Sequence, residues 1–333
     1  MQAMLSTALG GPETLQWSAQ ERPEPGPAEV LVAIRAASVN YPDTLMIRDL
    51  YQIKPPRPFA PGGEIAGEII AVGRDVTSHA IGDRILALTG FGGFATHICI
   101  PASSAFKIPD QMSDVDAAGF VFTYGTSHHA LKDRANLRSG ETVLVLGGAG
   151  GVGSAAIELA KARGARVIAA VSTANKAHFC ETIGADATVI YGRAPDKEEQ
   201  ISFGRNIKAL AGSSGIDVVY DAVGGAYAEP ALRAMAWQGR YLVVGFAAGI
   251  ASIPMNLPLL KGCQIVGVFW GAAVQRAPAD HQRNVSELFD LYSRGEIRPR
   301  IHATYPMEKA ADALSEMQNR AVLGKIILTN TSD

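Results

Sequence analysis

The sequence has few cysteines, no long apolar run and no excess of basic residues. Its three cysteines, Cys99, Cys180 and Cys263, are too scattered for a disulfide framework or a cysteine-rich zinc lobe. No stretch reaches roughly eighteen uninterrupted apolar residues, and no basic segment leads into an apolar one at the N-terminus. With 30 basic and 32 acidic side chains, nucleic acid is not favoured as a partner. These absences predict a soluble, cytoplasmic protein with no membrane partner.

Two domains are expected, because 333 residues exceed the usual size of one hydrophobic core. Residues 1–110 carry many Pro and Gly residues and short alternating runs, which indicate β structure. Beyond about residue 120, apolar strands alternate with helices, which predicts a doubly wound parallel sheet and an α/β fold class. The six predicted strands are 143–146, 167–171, 188–191, 216–221, 240–246 and 264–269.

The C-terminal part carries elements without a sheet of their own. The pattern predicts helices near 281–293 and 308–317 and a closing strand at 324–329. We expect these elements to return to the N-terminal domain. The predicted domains are therefore 1–120 together with 267–333, and 121–266.

Residues 143–153 read VLVLGGAGGVG and predict a dinucleotide site. Gly148, Gly150 and Gly153 have the G-x-G-x-x-G spacing, directly after a predicted strand and before a predicted helix. In such a turn the glycines permit a tight bend, close approach of a pyrophosphate, and packing of helix on strand. The phosphates then meet the helix N-terminus, where Gly151 and Val152 lie.

The segment after this loop favours NADPH over NADH. A site for NADH usually has an Asp or Glu about twenty residues past the first glycine, which binds the ribose hydroxyls. Residues 164–180 contain no acid. They contain Ser172 and Lys176, which can meet a 2′-phosphate with a hydroxyl and a positive charge. The alternative for Lys176 is a solvated helix charge.

Three segments share their spacing with a known family: NYPD at 40–43, PGGEIAG at 61–67 and the glycine loop at 147–153. Together they resemble the medium-chain dehydrogenase/reductase superfamily, and within it the zinc-free NADPH quinone oxidoreductases related to zeta-crystallin. The likeness extends from Leu31 to Leu328. It implies a GroES-like, mainly β domain, a Rossmann domain inserted before the C-terminal return, and a homodimer formed through the region after Cys263.

The chain departs from the zinc-dependent branch of that superfamily at the three ligand positions. Asn40 stands where those enzymes have a cysteine, Gly63 where they have a histidine, and Phe122 near the third ligand. None of these side chains binds zinc as a thiolate, imidazole or carboxylate, so no catalytic metal is expected. His97 and Cys99 lie two apart on a predicted strand but lack two further ligands.

The resemblance also implies roles for individual residues. It places Asn40 and Tyr51 beside the nicotinamide as an amide and a phenol donor, with Asp43 as a structural residue; an ordinary half-buried aromatic is the alternative for Tyr51. Thr126 would contact the cofactor, and Tyr191 would close over the 2′-phosphate. The family segments that line the nicotinamide match strand-end residues, for which core packing is the alternative: Phe246, Phe269, Trp270 and Gly271. Gly224 and Gly245 are also expected to bind the cofactor.

The expected reaction follows from the missing metal. Alcohol oxidation is difficult without a Lewis acid, whereas a conjugated carbonyl needs only hydrogen-bond donors. The predicted function is NADPH-dependent hydride transfer to quinones or other α,β-unsaturated carbonyl acceptors.

Other functions stay open at this point. An enoyl or acryloyl thioester reductase would need a site for its carrier arm, for which Arg48, Lys54 and Arg57 are scattered candidates. A non-catalytic, NADPH-binding structural or RNA-associated protein is disfavoured by the near-neutral charge. Tyr305 and Lys309 match the Tyr-x-x-x-Lys spacing of short-chain dehydrogenases, a short motif that is weak alone.

Overall fold

A computed structural model describes residues 1–319 and 321–330. The chain divides into two compact units. The first unit contains Met1–Phe122 and Pro299–Asp333, and the second unit contains Thr123–Arg298. The boundary after Phe122 lies close to the one that the sequence predicts.

The elements follow in chain order. Strands β1 (Gln2–Ser6), β2 (Leu15–Ala19), β3 (Glu29–Val39), β4 (Glu64–Val72), β5 (Arg84–Leu88), β6 (His97–Pro101) and β7 (Ala105–Lys107) come first, with helices α1 (Tyr41–Met46) and α2 (Asp114–Ala118). Helix α3 (Val121–His128) continues as a π-helix, His129–Arg134. Then come β8 (Thr142–Leu146), α4 (Gly151–Ala162), β9 (Arg166–Val171), α5 (Ala174–Thr182), β10 (Ala187–Ile190), α6 (Lys197–Ala211), β11 (Ile216–Asp221), α7 (Ala228–Arg233), β12 (Met235–Val243), α8 (Asn256–Lys261), β13 (Gln264–Gly267), α9 (Trp270–Arg276) and α10 (Pro278–Ser293). Last come β14 (Ile301–Pro306), α11 (Ala310–Gln318) and β15 (Lys325–Thr329). None of the helices in the described residues is long and apolar enough to cross a membrane.

A seven-stranded sheet organises the first unit. Its strands follow the order β14-β15-β3-β4-β5-β7, and β6 pairs with β3 as well. The long strand β3 pairs antiparallel with β15, with Val39 opposite Ile326. This register brings the beginning of β15 beside Asn40, the residue that follows β3.

A six-stranded sheet organises the second unit. Its order is β10-β9-β8-β11-β12-β13, and every neighbouring pair is parallel. The predicted doubly wound parallel sheet is therefore confirmed, and each predicted strand falls on an observed one. The strand order reverses between β8 and β11, and in such sheets ligands bind outside the carboxyl ends of the strands at this point.

Residues 267–298 correct the predicted domain boundary, because they lie in the second unit and not with the N-terminal part. Helix α10 is held there by polar contacts to the end of α3 and to its π-helical extension. His128 lies 2.9 Å from Glu287, and Lys132 donates to Asn284 at 2.9 Å. Apolar spacing along a helix gives no information about such partners. Only the segment from Pro299 returns to the first unit.

Candidate active site

The glycine loop between β8 and α4 forms a tight turn that requires glycine at two positions. Gly147 has a positive φ of 78°, and its carbonyl oxygen accepts a hydrogen bond from Gly150 N at 3.1 Å. A Cβ atom on Gly153 would lie 2.2 Å from the same oxygen. The bend that the sequence motif assigns to Gly148 thus depends on Gly147. Gly148 instead packs closely, since a Cβ there would lie 3.1 Å from the Cys180 sulfur.

The first backbone donors of helix α4 have no acceptor within the helix. Its N-cap, Gly150, provides no capping side chain. The first amide that bonds within the helix is that of Ser154, which donates to Gly150 O at 2.8 Å. The amides of Gly151, Val152 and Gly153 therefore have no acceptor within the helix. Such N–H groups, at the positive end of the helix dipole, are suited to bind phosphate.

Ser172, Lys176 and Tyr191 lie at the carboxyl ends of the neighbouring strands β9 and β10. Ile190 pairs with Val171, so Tyr191 and Ser172 follow the two strands side by side. Lys176 lies in the first turn of α5, three residues after the N-cap residue Thr173 and four after Ser172. The three residues therefore follow two neighbouring strands at the same edge of the sheet, and the Tyr191 ring packs on Phe203 and Tyr227. Their role at a 2′-phosphate stays a prediction.

Gly224 lies in the loop after β11, and Gly245 lies in the loop after β12. A buried aspartate, Asp221, connects these two loops. Asp221 accepts a hydrogen bond from Gly224 N at 2.8 Å through its carboxylate and one from Gly245 N at 3.1 Å through its carbonyl oxygen. Its second carboxylate oxygen accepts from the Tyr241 hydroxyl at 2.6 Å. Sequence reasoning missed Asp221, although an acid at the end of an apolar strand was a signal.

The aromatic residues that were predicted to line the nicotinamide differ in exposure. Phe246 is 53% and Phe269 67% exposed, whereas Trp270 is 8% exposed. The Trp270 ring packs on Gly125, where a Cβ would lie 2.5 Å from it. The Trp270 ring therefore packs within the second unit, and its contact with the nicotinamide stays a prediction. The two other predicted contacts are helical, Thr126 on α3 and Gly271 on α9.

In the first unit, Asn40 lies between β3 and α1, as the N-cap of that helix. Its backbone N donates to Asp43 Oδ2 at 2.7 Å. The other carboxylate oxygen of Asp43 accepts from Gly62 N at 3.1 Å. The buried Asp43 therefore connects the beginning of α1 to the loop before β4, which is the structural role expected of it.

The Asn40 carboxamide is part of a buried chain of hydrogen bonds. Lys325 Nζ donates to Asn40 Oδ1 at 2.7 Å. Asn40 Nδ2 donates to Ser38 Oγ at 2.8 Å, and the Ser38 hydroxyl donates to Glu64 Oε2 at 2.5 Å. Lys325 Nζ also lies 3.7 Å from Glu64 Oε2. Asn40 and Lys325 are only 5% and 4% exposed, so this network is largely shielded from water.

The ionisable groups of this network depend on one another. Burial raises the pKa of Glu64, while the Lys325 charge and donated hydrogen bonds oppose the rise. Burial likewise raises the pKa of Asp43 to about 6, against two backbone donors and Lys325. Burial lowers the pKa of Lys325, and both carboxylates oppose this. One ammonium group is thus shared by two carboxylates, and its loss would favour their protonation.

Sequence reasoning missed Lys325 and gave Glu64 no role. The signal in the sequence was that each of these charged residues begins a strand whose following residues are largely apolar. A charged group at such a position is buried only with a partner. The partner of Lys325 lies 285 residues away in sequence, which no local pattern reveals.

Tyr51 lies in the loop after α1 and packs against the core of the first unit. Burial raises its pKa, and the charge of Asp43 adds to the rise, so the phenol keeps its proton at neutral pH. Arg57 closes this loop, because its guanidinium donates to Asp49 at 3.1 Å and to Ile47 O at 2.9 Å.

The three positions of the zinc ligands hold no metal-binding side chain in this chain. Gly63 offers only its carbonyl oxygen, which accepts from Thr89 N at 3.0 Å. Phe122 takes part through its backbone N, which donates to Glu64 Oε1 at 2.7 Å. Among residues 1–319 and 321–330, no group of three or more His, Cys, Asp or Glu residues is arranged to hold a metal ion. His97 instead bonds the Thr96 hydroxyl at 2.9 Å.

The short-chain dehydrogenase motif has no catalytic arrangement here. The Tyr305 hydroxyl donates to Glu316 at 2.8 Å, whereas Lys309 lies 3.8 Å from Asp312. The two side chains of the motif therefore have separate acidic partners.

Comparison with known proteins places the chain in a family. Residues 26–110 match the alcohol dehydrogenase GroES-like domain, and residues 151–290 match the zinc-binding dehydrogenase family. The mouse quinone oxidoreductase-like protein 2 is 37% identical over 98% of this chain and 91% of its own length. The chain belongs to the medium-chain dehydrogenase/reductase superfamily, in its quinone oxidoreductase-like branch. The expected pairing of GroES-like and Rossmann domains is thereby confirmed.

Solved structures of similar proteins agree with this assignment. A mycobacterial structure complexed with NADPH is 30% identical, with a TM-score of 0.90, and covers 99% of this chain and 100% of its own. The CurK enoyl reductase is 25% identical, with a TM-score of 0.87, and covers 99% of both chains. This medium-chain dehydrogenase/reductase therefore resembles oxidoreductases along its whole length.

We expect the purified protein to contain no stoichiometric zinc and to keep its activity after prolonged dialysis against a strong chelator. The reason is that residues 40, 63 and 122 provide no thiolate, imidazole or carboxylate. Elemental analysis before and after dialysis, with turnover measured on the same samples, checks this. About one tightly held zinc per chain, with activity lost on its removal, would contradict the prediction.

Proposed function

We propose that this protein is an NADPH-dependent oxidoreductase of the cytoplasm that transfers hydride to quinones or other α,β-unsaturated carbonyl compounds without zinc. The observation that carries the proposal is the buried network around Asn40. It puts a carboxamide, held by an ammonium group, at a position where the zinc-dependent branch has a metal ligand. An amide donates hydrogen bonds to a developing negative charge but takes up no proton.

The second unit supplies residues that fit both phosphate groups of NADPH. The bare N-terminus of α4 would hold the pyrophosphate, because a Cβ on Gly150 would have a single neighbour, at 3.5 Å, and the turn presents backbone to a ligand. Ser172, Lys176 and Tyr191 would hold the 2′-phosphate. The similar mycobacterial protein that was solved with NADPH supports this choice of cofactor.

The first unit supplies donors for the acceptor. NADPH provides the hydride, and negative charge then develops on the carbonyl oxygen of the acceptor. Asn40 Nδ2 has two N–H groups, of which one is given to Ser38 Oγ at 2.8 Å. The other has Ser38 O at 3.5 Å and the Glu64 carboxylate as partners, and in this proposal the acceptor oxygen competes with them as its negative charge grows. Tyr51 offers its protonated phenol. In this proposal both donors strengthen as charge develops, which accelerates the reaction.

A thioester reductase is the second candidate, and the likeness to the CurK enoyl reductase favours it. Of the cations expected to bind its carrier arm, however, Arg57 bonds Asp49 and Arg48 bonds Gln318. Among the described residues, Arg57 is thereby held in an ion pair and Arg48 in a hydrogen bond, which favours the smaller acceptors. The third candidate, a non-catalytic RNA-associated protein, receives no support from a net charge of −2.

We further propose a homodimer that forms through β13, the edge strand of the second-unit sheet. Apolar side chains around this strand are exposed: Ile265 on the strand, Leu259 and Leu260 on α8, and Trp237 on β12. An apolar sheet edge favours pairing with another strand. Antiparallel pairing of two copies of β13 about a twofold axis would cover both edges with the same contacts.

Replacement of Ile265 by Glu should weaken that dimer, because it puts two like charges at the paired edge. Sedimentation velocity across a range of concentrations measures the effect. Ile201→Glu is the matched control, since Ile201 on α6 is 47% exposed and Ile265 is 40% exposed. A wild type that sediments as a monomer, or equal behaviour of both variants, would count against the proposed interface.

Lys176→Ala should weaken NADPH binding by about ten- to 150-fold while hardly changing NADH binding, since a charge-assisted bond to phosphate contributes about 1.5 to 3 kcal/mol. The effect should decrease as salt concentration rises. Fluorescence titration of both cofactors checks this, with the exposed Lys208→Ala on α6 as control. Equal losses for the two cofactors, or a wild type that prefers NADH, would show that Lys176 does not bind the 2′-phosphate.

Asn40→Ala should lower kcat by roughly ten- to a thousandfold and leave NADPH binding nearly unchanged, because its donor acts mainly in the transition state. Tyr51→Phe should lower kcat for the same reason. Steady-state kinetics with a small quinone and an enal measure both effects. Tyr305→Phe is the matched control in the first unit, with its hydroxyl on Glu316. An unchanged kcat would remove the tested residue from the mechanism.

A further inference from the structure

We infer that Lys325 is a positioning residue for the proposed reaction and acts through the Asn40 carboxamide. This inference rests on the proposed function. It assigns a role to a residue that lies on the last strand of the chain, 285 residues from its partner.

The fold fixes the position of the Lys325 side chain. Its backbone N donates to Arg300 O at 2.8 Å, and the next residue, Ile326, pairs with Val39 on β3. Lys325 therefore begins β15 directly beside Asn40. Its stem lies along Gly119, where a Cβ would be 3.7 Å from Lys325 Cε. The ammonium group thus reaches Asn40 from a rigid strand, and this is how a precise site is built.

The chemistry of the partners determines the orientation of the Asn40 carboxamide. An ammonium group only donates, so Asn40 must turn its Oδ1 to Lys325 and its Nδ2 to Ser38. Ser38 can accept from Nδ2 because its own proton is given to Glu64. Without Lys325, a carboxamide turned by 180° would no longer be penalised, because there would be no ammonium group that requires an oxygen as its partner. The fixed orientation of the Asn40 N–H donors therefore depends on Lys325.

The positive charge also affects the strength of those donors. A cation 2.7 Å from Oδ1 withdraws electron density from the carboxamide, and hydrogen bonds in a chain polarise one another. The N–H groups of Asn40 become stronger donors toward negative charge. Lys325 would thus stabilise the transition state without touching the acceptor itself.

A double-mutant cycle on kcat tests this inference. Lys325→Met should lower kcat by roughly ten- to a hundredfold, with the Kd for NADPH within about twofold of wild type. Lys325→Arg, which keeps a charged donor, should recover most of the loss. The Asn40→Ala/Lys325→Met variant should have a kcat within about threefold of the poorer single variant, because the two residues act as one unit. Lys107→Met, which removes an exposed lysine paired with Asp83 in the same unit, is the control and should leave kcat unchanged.

Three results would overturn the inference. An unchanged kcat in Lys325→Met would show that the orientation is not needed. Losses that multiply in the double variant would show that Lys325 acts apart from Asn40. A Kd for NADPH raised more than about tenfold, with kcat kept, would make Lys325 a cofactor contact. If Lys325→Met does not fold, Lys325→Met/Glu64→Gln removes both charges and serves as the background for the same cycle.

A spectroscopic readout separates this inference from the proposed function. In protein labelled with 15N at asparagine, the side-chain NH2 signal of Asn40 is identified by its loss in Asn40→Ala. We expect that signal to be sharp and slow to exchange in the wild type, and shifted or broadened in Lys325→Met but not in Lys107→Met. An unmoved signal would overturn the positioning role. If the wild type reduces no acceptor with NADPH, the proposed function fails, and this signal still decides whether Lys325 orients Asn40.

Discussion

The burial of one ammonium group, that of Lys325, determines how the polar interior of the first unit is arranged. Transfer of an ion from water to a protein interior costs several kcal/mol unless a partner compensates it. Glu64 and Asp43 are buried acids, and the charge of Lys325 opposes the rise in pKa that burial causes in both of them. Because an ammonium group only donates, it also sets the direction of the hydrogen bonds that pass from Asn40 through Ser38 to Glu64. The pairing of β15 with β3 is therefore a requirement of the fold and of the candidate site together.

In the proposed function, the second unit binds charge by a different physical means. Its candidate phosphate site uses backbone amides, which need no compensating ion, and so it depends on the path of the chain. Gly147 provides the positive φ of the turn, and Gly153 lets α4 approach its carbonyl oxygen. Side chains enter only at the ends of β9 and β10, where Lys176 adds a positive charge. Specificity for the cofactor can thus change at these strand ends while the turn itself stays the same.

Sequence reasoning succeeded where structure depends on neighbouring residues. Alternation of apolar runs predicted all six strands of the parallel sheet, and glycine spacing predicted the turn, although the positive φ belongs to Gly147 and not to Gly148. It failed where distant segments meet. Helix α10 joins the second unit through the contacts of Glu287 with His128 and of Asn284 with Lys132. Those contacts, like that of Lys325 with Asn40, are set by tertiary packing, and no periodicity along the chain encodes them.

The replacement of a metal ligand by a carboxamide limits which reactions the proposed site can serve. A metal ion stabilises a developing alkoxide by several kcal/mol and lowers the pKa of a bound hydroxyl group, so it assists alcohol oxidation. A single hydrogen-bond donor contributes about 3 to 4 kcal/mol to an oxyanion and removes no proton. In the proposed reaction, Asn40 and Tyr51 can therefore donate hydrogen bonds to a carbonyl oxygen that gains negative charge, but they cannot remove the proton of an alcohol. A conjugated acceptor spreads that charge over its own π system, so in the proposed reaction hydrogen-bond donors can stabilise the charge without a metal ion.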